Sequence, residues 1–390
     1  MSIGVVTTPL STEHTISGPR LAYIDNLRWL MIVFVVTLHA AVTYSGVGSW
    51  YYTDPQRPGP VSMLFFALYQ SHLQAFFMGL LFLITGYFVP RSYDRKGAHR
   101  FIADRAYRLG VPTLIFAALI QPTISYGRRR ALGEPLTASF SGYASYLFSI
   151  DFLSGTGPMW FALALLVFSI VYAGVRIFGV TVSTSEGLPT HLQVFALFAT
   201  MSVGSFLVRI VQPIGTNVLN MQLCFFTQYI LLFGVGISAR RRDWFSRISI
   251  RFAIPWIVAA VLVGPALWFV TIIGALRSGN PAALAGGLHW QSAAYATWES
   301  LFCIGACLGL LTIFREYVNR LGRFAHFMSR NAFAVYVFHA PILVTLALLM
   351  RNWAVYPLGK FLVLSALGLV VSFLIAHYVI RKTPLLREVM

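Results

Sequence analysis

Residues 23–40 read YIDNLRWLMIVFVVTLHA, and this stretch gives the clearest indication of how the 390-residue chain folds. Every residue between Arg28 and His39 is uncharged, and the apolar character continues to about residue 45. An apolar run of about 20 residues is long enough to cross a hydrocarbon core of about 30 Å as an α-helix. A helix also satisfies its own backbone hydrogen bonds, which lipid cannot do. The stretch therefore predicts a membrane-spanning helix.

Similar apolar stretches recur along the chain, and they predict an all-α, polytopic membrane bundle of about ten transmembrane helices. Apolar residues make up 57% of the chain and charged residues 11%, with a mean hydropathy of +0.72. Soluble domains carry about 25% charged residues, so this chain has too few to cover a water-facing surface. The runs also lack the alternation of polar and apolar residues that a transmembrane barrel needs. The predicted spans are 27–45, 71–89, 111–127, 159–179, 191–211, 220–238, 252–275, 294–314, 331–350 and 359–380, with 61–70 a candidate re-entrant or interfacial helix.

Basic residues cluster in alternate connections between these spans. With ten spans, the basic connections 90–110, 239–251 and 315–330 lie on the same side as both termini. The positive-inside rule makes that side cytoplasmic. The net charge of +17 therefore reflects topology and contact with the anionic lipid of the bilayer, and we expect no nucleic-acid partner. Residues 128–130, all arginine, are the exception: either they contact an anionic substrate or lipid on the outer side, or one span is miscounted.

We predict one transmembrane domain, residues 23–382, between cytoplasmic tails at 1–22 and 383–390. Residues 1–20 lack the basic and apolar regions of a removable signal peptide, so the first span is expected to act as an uncleaved insertion signal. All three cysteines fall within apolar spans and are expected to be small core residues. Because no other ligands accompany them, the sequence predicts no metal site.

Ionisable groups at membrane depth are costly to bury and are candidates for function. Arg28 and His39 are eleven residues apart, a spacing that returns them to one helix face with a rise of about 16 Å. Asp25 lies three residues before Arg28 and can pair with it. Imidazole titrates near neutral pH and suits a general base. Alternatively, Arg28 reaches lipid phosphate and His39 bonds a neighbouring helix; the spacing alone leaves both interpretations open.

The other ionisable candidates are spread over several spans. His72 opens the second span, Glu299 lies near the start of the eighth, and His339 lies in the ninth. Glu299 is the costliest to bury and is expected to line a cavity or to pair with an inward-facing cation. Arg105 and Arg108 share a face where the third span begins. Arginine forks match phosphate oxygens, although ordinary anchoring on the cytoplasmic side explains these two equally well.

Several signatures of other enzyme classes are absent from the sequence. The chain has no Gly-rich phosphate loop, no H-E-x-x-H, no paired-cysteine metal site and no G-x-S-x-G elbow. These absences disfavour a phosphohydrolase, a metalloprotease and a serine hydrolase.

Taken together, several of these segments resemble the acyltransferase-3 family of integral membrane acyltransferases. Residues 23–28 followed by His39 resemble the Arg-x10-His opening of that family. The stretch 82–88, FLITGYF, is similar to its F-x-x-S-G-F element, and 101–112 resembles its basic lead into the next span. Residues 329–339, which include Tyr336, are similar to its S-x-N-x-x-x-x-Y-x-x-H segment. The order matches across nearly the whole chain, and residues 73–90 resemble the subgroup related to glucan biosynthesis protein C.

This resemblance implies an enzyme of the bacterial inner membrane without a bound cofactor. It would transfer an acetyl, succinyl or similar group from cytoplasmic acyl-CoA to a hydroxyl of a carbohydrate or related acceptor at the outer face. The predicted catalytic residues are His39, Arg28 and Asp25, and the predicted substrate- and acyl-CoA-binding residues are Arg105, Arg108, His72, Trp160, Glu299 and His339.

One departure from the family pattern concerns an acidic residue. Many members carry W-x-x-x-x-E in a middle span, but Trp160 leads into alanine and leucine with no acid. Either the subgroup with a W-F-L-like element does not need this acid, or Glu299 substitutes for it. The residue that fills this acidic role therefore stays unassigned at the level of sequence.

Two other functions fit the same polar residues. In a proton-coupled transporter, basic and imidazole groups inside the bundle would form the ion path, but the sequence shows no convincing inverted repeat. In a non-catalytic receptor or assembly factor, the polar stripe would be purely structural.

Overall fold

The computed structural model describes residues 21–135, 140–180 and 187–383, and it shows a multi-pass helical membrane protein. Nine helical stretches in this described part are long and apolar enough to cross a bilayer. We label the spans α1 to α10 in chain order. They are α1 Ala22–Ser45, α2 Pro60–Arg105, α3 106–132, α4 Trp160–Ile177, α5 His191–Val211, α6 Phe226–Arg241, α7 Ile250–Arg277, α8 Trp290–Tyr317, α9 Arg323–Leu349 and α10 Pro357–Tyr378.

The second of the nine stretches, Pro60–Leu132, contains both α2 and α3 and so holds two of the ten predicted spans. Gly97 breaks α2 near its end, with φ of 71° and ψ of 168°, a conformation that glycine adopts without steric cost. Lys96 and Asp104 pair across this break at 2.8 Å. Beyond it, α3 returns so that Gln121 accepts a hydrogen bond from Tyr51, which lies just after α1. The two helices therefore form a hairpin, and the predicted count of ten spans agrees with this arrangement.

Helices α3 and α7 contain wider turns beside proline residues. Two π-helical segments, Ala106–Gly110 and Phe116–Ile120, precede Pro112 and Pro122. A third, Ala259–Val263, lies between Pro255 and Pro265. A proline lacks the N–H that a regular α-helical turn requires and crowds the carbonyl four residues earlier, so the local hydrogen bonding shifts to the wider pattern. The stretch 61–70 belongs to α2, and it leads directly into the second span as helix.

Helices α2 and α6 cross with their backbones in contact. A Cβ atom on Gly86 of α2 would collide with the backbone carbonyl of Phe233, and one on Gly236 of α6 would collide with that of Leu83. Small residues allow such close approach between membrane helices, where van der Waals contact drives association. In α1, α8 and α9, more than half of the most apolar stretch of each helix is buried in the protein. Helices α5 and α7 lie mostly at the periphery.

The two ends of the bundle differ in their contacts. At the basic end, the start of α1 joins the connection between α8 and α9, where Asn26 donates to the carbonyls of Val318 at 2.7 Å and Arg320 at 3.0 Å. At the opposite end, Arg351 donates to the carbonyl of Ala131. Arg128, one of the three consecutive arginines, pairs at this end with Glu134 at 3.0 Å. The side on which 128–130 lie therefore agrees with the ten-span arrangement.

Candidate functional site

Helix α1 packs against α9 and brings two histidines together inside the bundle. Nδ1 of His39 lies 2.9 Å from Nε2 of His339, a hydrogen bond between residues 300 positions apart. His339 is completely buried. The two predicted site residues therefore form one unit.

The backbone of α9 determines which nitrogen carries each proton in this pair. Nδ1 of His339 lies 2.7 Å from the carbonyl oxygen of Tyr336. A carbonyl oxygen can only accept, so this Nδ1 carries the hydrogen, and Nε2 of the uncharged His339 ring is an acceptor. Nδ1 of His39 then donates to it. Nε2 of His39 is thereby left with its lone pair, and it is the position on this ring that can take a proton from a substrate.

Trp50 covers one face of His39. The two rings are stacked with centroids 3.9 Å apart and planes at 11°. Such an aromatic face stabilises a neighbouring cation by about 0.5–2 kcal/mol, so the indole favours the imidazolium that forms when His39 accepts a proton. Trp50 lies in the connection between α1 and α2, at the end of the bundle opposite to the basic loops.

Buried contacts hold the connection that carries Trp50. Asp54 forms an ion pair with Lys360 of α10 at 3.0 Å, and the two side chains are only 1% and 3% exposed, respectively. The amide of Asp54 also donates to the carbonyl of Thr43 at 2.8 Å. A buried ion pair that loses one partner leaves an uncompensated charge and costs about 3–5 kcal/mol. These contacts fix the connection 46–59, here called the strap, at the end of the site opposite to the basic loops.

Tyr336 joins the histidine pair to the segment before α4. Its hydroxyl donates to the carbonyl of Pro158, and its ring meets that of Phe161 edge-on at 6.2 Å. Trp160, the first residue of α4, stacks instead on Tyr229 of α6, with centroids 5.9 Å apart. The predicted residue Trp160 is thus near the site through Tyr336, while its own ring faces a different helix.

Arg28 lies toward the basic end of the same helix as His39, about 16 Å below it along the axis. Its Nη1 lies 3.5 Å from Oδ1 of Asp25, as the spacing predicted. The guanidinium also sits 4.6 Å from the ring centroid of Phe88 in α2, and the side chain is 41% exposed. One helix therefore presents a cationic group near the surface and an imidazole in the interior.

A family model for an acyltransferase domain, acyltransferase-3, matches residues 21–377 of the chain. The chain belongs to the acyltransferase-3 family. Curated relatives include glucans biosynthesis protein C of Salmonella paratyphi B and of Salmonella heidelberg, each 24% identical over 166 residues. The matched region covers 41% of this chain and 40% of each relative, so the match spans about two fifths of those proteins. No solved structure shows a significant match.

Membership confirms the family that the sequence motifs indicated, and it confirms the prediction of an acyltransferase at the level of the family. The matched range includes every candidate site residue, from Asp25 in α1 to His339 in α9.

Arg105 and Arg108, the two basic residues predicted to hold a donor, differ in their exposure and in their partners. Arg108 is mostly exposed, and its Nε pairs with Asp104 at 3.0 Å. Arg105 lies against the ring of Phe101 at 5.3 Å, and within the described residues its buried Nε lacks a hydrogen-bond partner. Asp104 also takes a contact from Lys96, so its charge is shared. Arg105 is consequently the better candidate of the two for an anionic group.

His72 lies in an aromatic cluster away from the histidine pair. Its Nδ1 donates to the carbonyl of Leu68 at 2.8 Å. Its ring meets those of Trp298 and Phe302 edge-on, at 5.0 Å and 4.8 Å. These contacts describe a packed residue of α2 with one ring nitrogen already occupied.

Glu299 is paired inside the bundle with an arginine that the sequence analysis did not single out. Its Oε2 lies 2.5 Å from Nη2 of Arg209 in α5, and both side chains are buried. The rings of Phe225 and Tyr295 flank the guanidinium at 5.3 Å and 5.6 Å. The expectation that Glu299 pairs with an inward-facing cation fits this geometry. The single charge of Arg209 within an apolar span was the available signal.

Proposed function

We propose that the chain is a membrane O-acyltransferase that moves an acetyl, succinyl or similar group from acyl-CoA to a hydroxyl of a carbohydrate acceptor. The observation that carries the proposal is the hydrogen bond from His39 to His339, because it leaves Nε2 of His39 as a base inside the bundle. The donor approaches from the basic end, which the positive-inside rule makes cytoplasmic. The acceptor approaches from the opposite face of the bacterial inner membrane.

Arg28 and Arg105 are the groups proposed to bind the donor. Both belong to the basic end, and both guanidiniums lie against an aromatic ring that restricts their movement. Phosphate oxygens match the arginine fork in charge and geometry. With the phosphates held there, the extended pantetheine arm would run along α1 and bring the thioester toward His39. Asp25 keeps Arg28 oriented.

The chemistry proposed at His39 is general base catalysis followed by return of the same proton. Nε2 of His39 takes the proton of the acceptor hydroxyl, and the oxygen attacks the thioester carbonyl. The tetrahedral intermediate collapses, the C–S bond breaks, and the CoA thiolate takes the proton back from the imidazolium. His339 holds the ring orientation, and Trp50 stabilises the transient charge.

The carbohydrate acceptor is supported by the relatives. Their name assigns them to the biosynthesis of glucans, although the chain matches only part of their length. A hydroxyl acceptor also agrees with a base whose free nitrogen lies beneath the strap at the end opposite to the basic loops.

The test is release of free CoA by the purified protein in nanodiscs. Acetyl-CoA and succinyl-CoA would be supplied with and without glucan oligosaccharides, and the thiol would be followed with a chromogenic reagent. General base catalysis contributes about 10²–10⁴-fold, so His39→Ala should lower acceptor-dependent turnover by at least about 100-fold.

His377→Ala is the matched control, because His377 is a half-buried histidine that lies beside Phe327 and Asn331 rather than in the pair. It should retain wild-type turnover. Wild-type turnover in a folded His39→Ala protein would contradict the proposal. Absence of acyl-CoA binding to the wild type would instead favour a transporter or a receptor.

A further inference from the structure

A groove separates α4 from α6 on the lipid-facing side of the bundle, at the basic end. Its volume is about 420 Å³, within the range of about 300–1,000 Å³ that is usual for ligand sites. Val167, Val171 and Ile230 line it and are each between 46% and 60% exposed. The rings of Phe168 and Phe233 meet at its base, with centroids 5.3 Å apart.

Gly234 explains why the groove is open along α6. It is exposed and helical, and a Cβ atom at this position would meet nothing within 4 Å. Two residues later, Gly236 touches the backbone of α2. One glycine thus lets α6 pack closely on α2, while the other leaves space on the side that faces α4.

Two arginines close the groove at its basic end. Arg176 of α4 and Arg241 of α6 both line it, and both pair with Asp94, at 3.1 Å and 2.9 Å. Two guanidiniums therefore face a single carboxylate, which leaves a positive charge at the mouth. Arg176 is held further by the hydroxyl of Tyr172 at 2.8 Å. These contacts fix the position of the Arg176 guanidinium at the mouth of the groove.

We propose that this groove binds an anionic glycerophospholipid of the leaflet at the basic end. An acyl tail would lie against the valine, isoleucine and phenylalanine side chains, and the anionic headgroup would meet Arg176 and Arg241. Apolar surface alone does not select a lipid in a bilayer, because the tails are as apolar as the protein. The selectivity comes from the surplus cation, since basic pockets between membrane helices bind anionic headgroups.

The site lies outside the proposed reaction path. Its lining residues belong to α4, α6 and the position 180 just after α4, whereas His39 and His339 belong to α1 and α9. The inference therefore does not depend on acyl transfer, and its test uses binding alone.

The experiment compares bound lipid by native mass spectrometry of the detergent-purified protein. The probes are phosphatidylglycerol and phosphatidylcholine with identical acyl chains. We expect one phosphatidylglycerol to bind at least about tenfold more tightly than phosphatidylcholine. Arg176→Gln and Arg241→Gln should each weaken the binding of phosphatidylglycerol by about fivefold, the effect of one basic group near an anionic surface. The binding of phosphatidylcholine should change little in both variants.

Two further variants change the site without removing an arginine. Asp94→Asn removes the competing carboxylate and should strengthen phosphatidylglycerol binding by about fivefold. Gly234→Leu should fill the groove and weaken the binding of both lipids. Gly127→Leu is the matched control, because Gly127 is also a helical glycine at which a Cβ atom would meet nothing within 4 Å, but it lies in α3. It should bind lipid as the wild type does.

Three results would overturn the proposal. The first is equal affinity of the wild type for the two lipids. The second is unchanged lipid binding by a folded Gly234→Leu protein. The third is displacement of bound phosphatidylglycerol by palmitoyl-CoA, with palmitoyl-CoA binding weakened by Gly234→Leu, which would assign the groove to a long-chain donor instead.

Discussion

At the scale of single residues, the tautomer of His39 depends on His339 and on one carbonyl of α9. The carbonyl of Tyr336 directs the hydrogen of His339, and His339 in turn accepts from Nδ1 of His39. Without this acceptor, the His39 ring could carry its hydrogen on either nitrogen, and only one of the two tautomers is a base toward the substrate. His339 is therefore a positioning residue in the proposed reaction.

Replacing His339 tests this role. His339→Leu removes the acceptor for the buried N–H of His39, a loss of about 1–3 kcal/mol, and should lower kcat by about 5- to 150-fold. KM for acyl-CoA should stay the same, because the donor phosphates bind elsewhere. His339→Gln supplies an amide oxygen as acceptor and should recover part of kcat. Equal losses in the Leu and Gln variants, or a loss confined to KM, would contradict the assignment.

Residue-level prediction from sequence succeeded where the information was local. The spacing of Asp25, Arg28 and His39 placed them on one stripe because helical geometry depends only on neighbours in the chain. The bond to His339 spans 300 positions, and it depends on which helix packs beside α1, which spacing cannot show. Its position within an apolar span and the family motif made His339 a candidate, but neither showed that it bonds His39. Arg209 carried a signal of its own, a charge within an apolar span, but its pairing with Glu299 depends on the packing of α5 against α8, which spacing cannot show.

At the scale of helices, the spans could be placed from sequence because length and apolarity are local properties. The predicted span 191–211 coincides with α5. Helix ends outside the bilayer were harder, because hydropathy carries no signal there: α3 extends to residue 132 through polar residues, beyond the predicted 127. The close crossing of α2 and α6 was also invisible, since a glycine at a contact reads the same as a glycine facing lipid.

Two glycines on α6 give a matched test of that crossing. Gly236→Ala places a methyl group against the backbone of α2, and overpacking of this kind costs about 1–3 kcal/mol. Gly234→Ala, two residues earlier, meets open space and should be neutral or slightly stabilising, because alanine favours helix. Thermal unfolding in detergent should show a lower Tm for Gly236→Ala only. Equal Tm values would mean that the crossing tolerates a side chain.

At the scale of the whole molecule, the proposed reaction requires the two ends of the bundle to face different compartments. The hairpin at Gly97 and the ion pairs around Asp94 group the basic loops together, while the strap and residue 132 lie at the other end. From the excess of basic residues, the positive-inside rule predicts that the first group faces the cytoplasm. The three arginines at 128–130 oppose this rule, but they are fewer than the basic residues of the other loops.

Single cysteines would test this arrangement, since the three native cysteines are buried and can be replaced by alanine. His99→Cys and Ser246→Cys mark the basic end, and Gln56→Cys and Leu132→Cys mark the other; all four positions are exposed. A membrane-impermeant maleimide added to intact spheroplasts should label only Gln56→Cys and Leu132→Cys. The other two should react only after permeabilisation. Labelling of both His99→Cys and Leu132→Cys from outside would mean that α3 does not cross the bilayer, and it would contradict the ten-span arrangement.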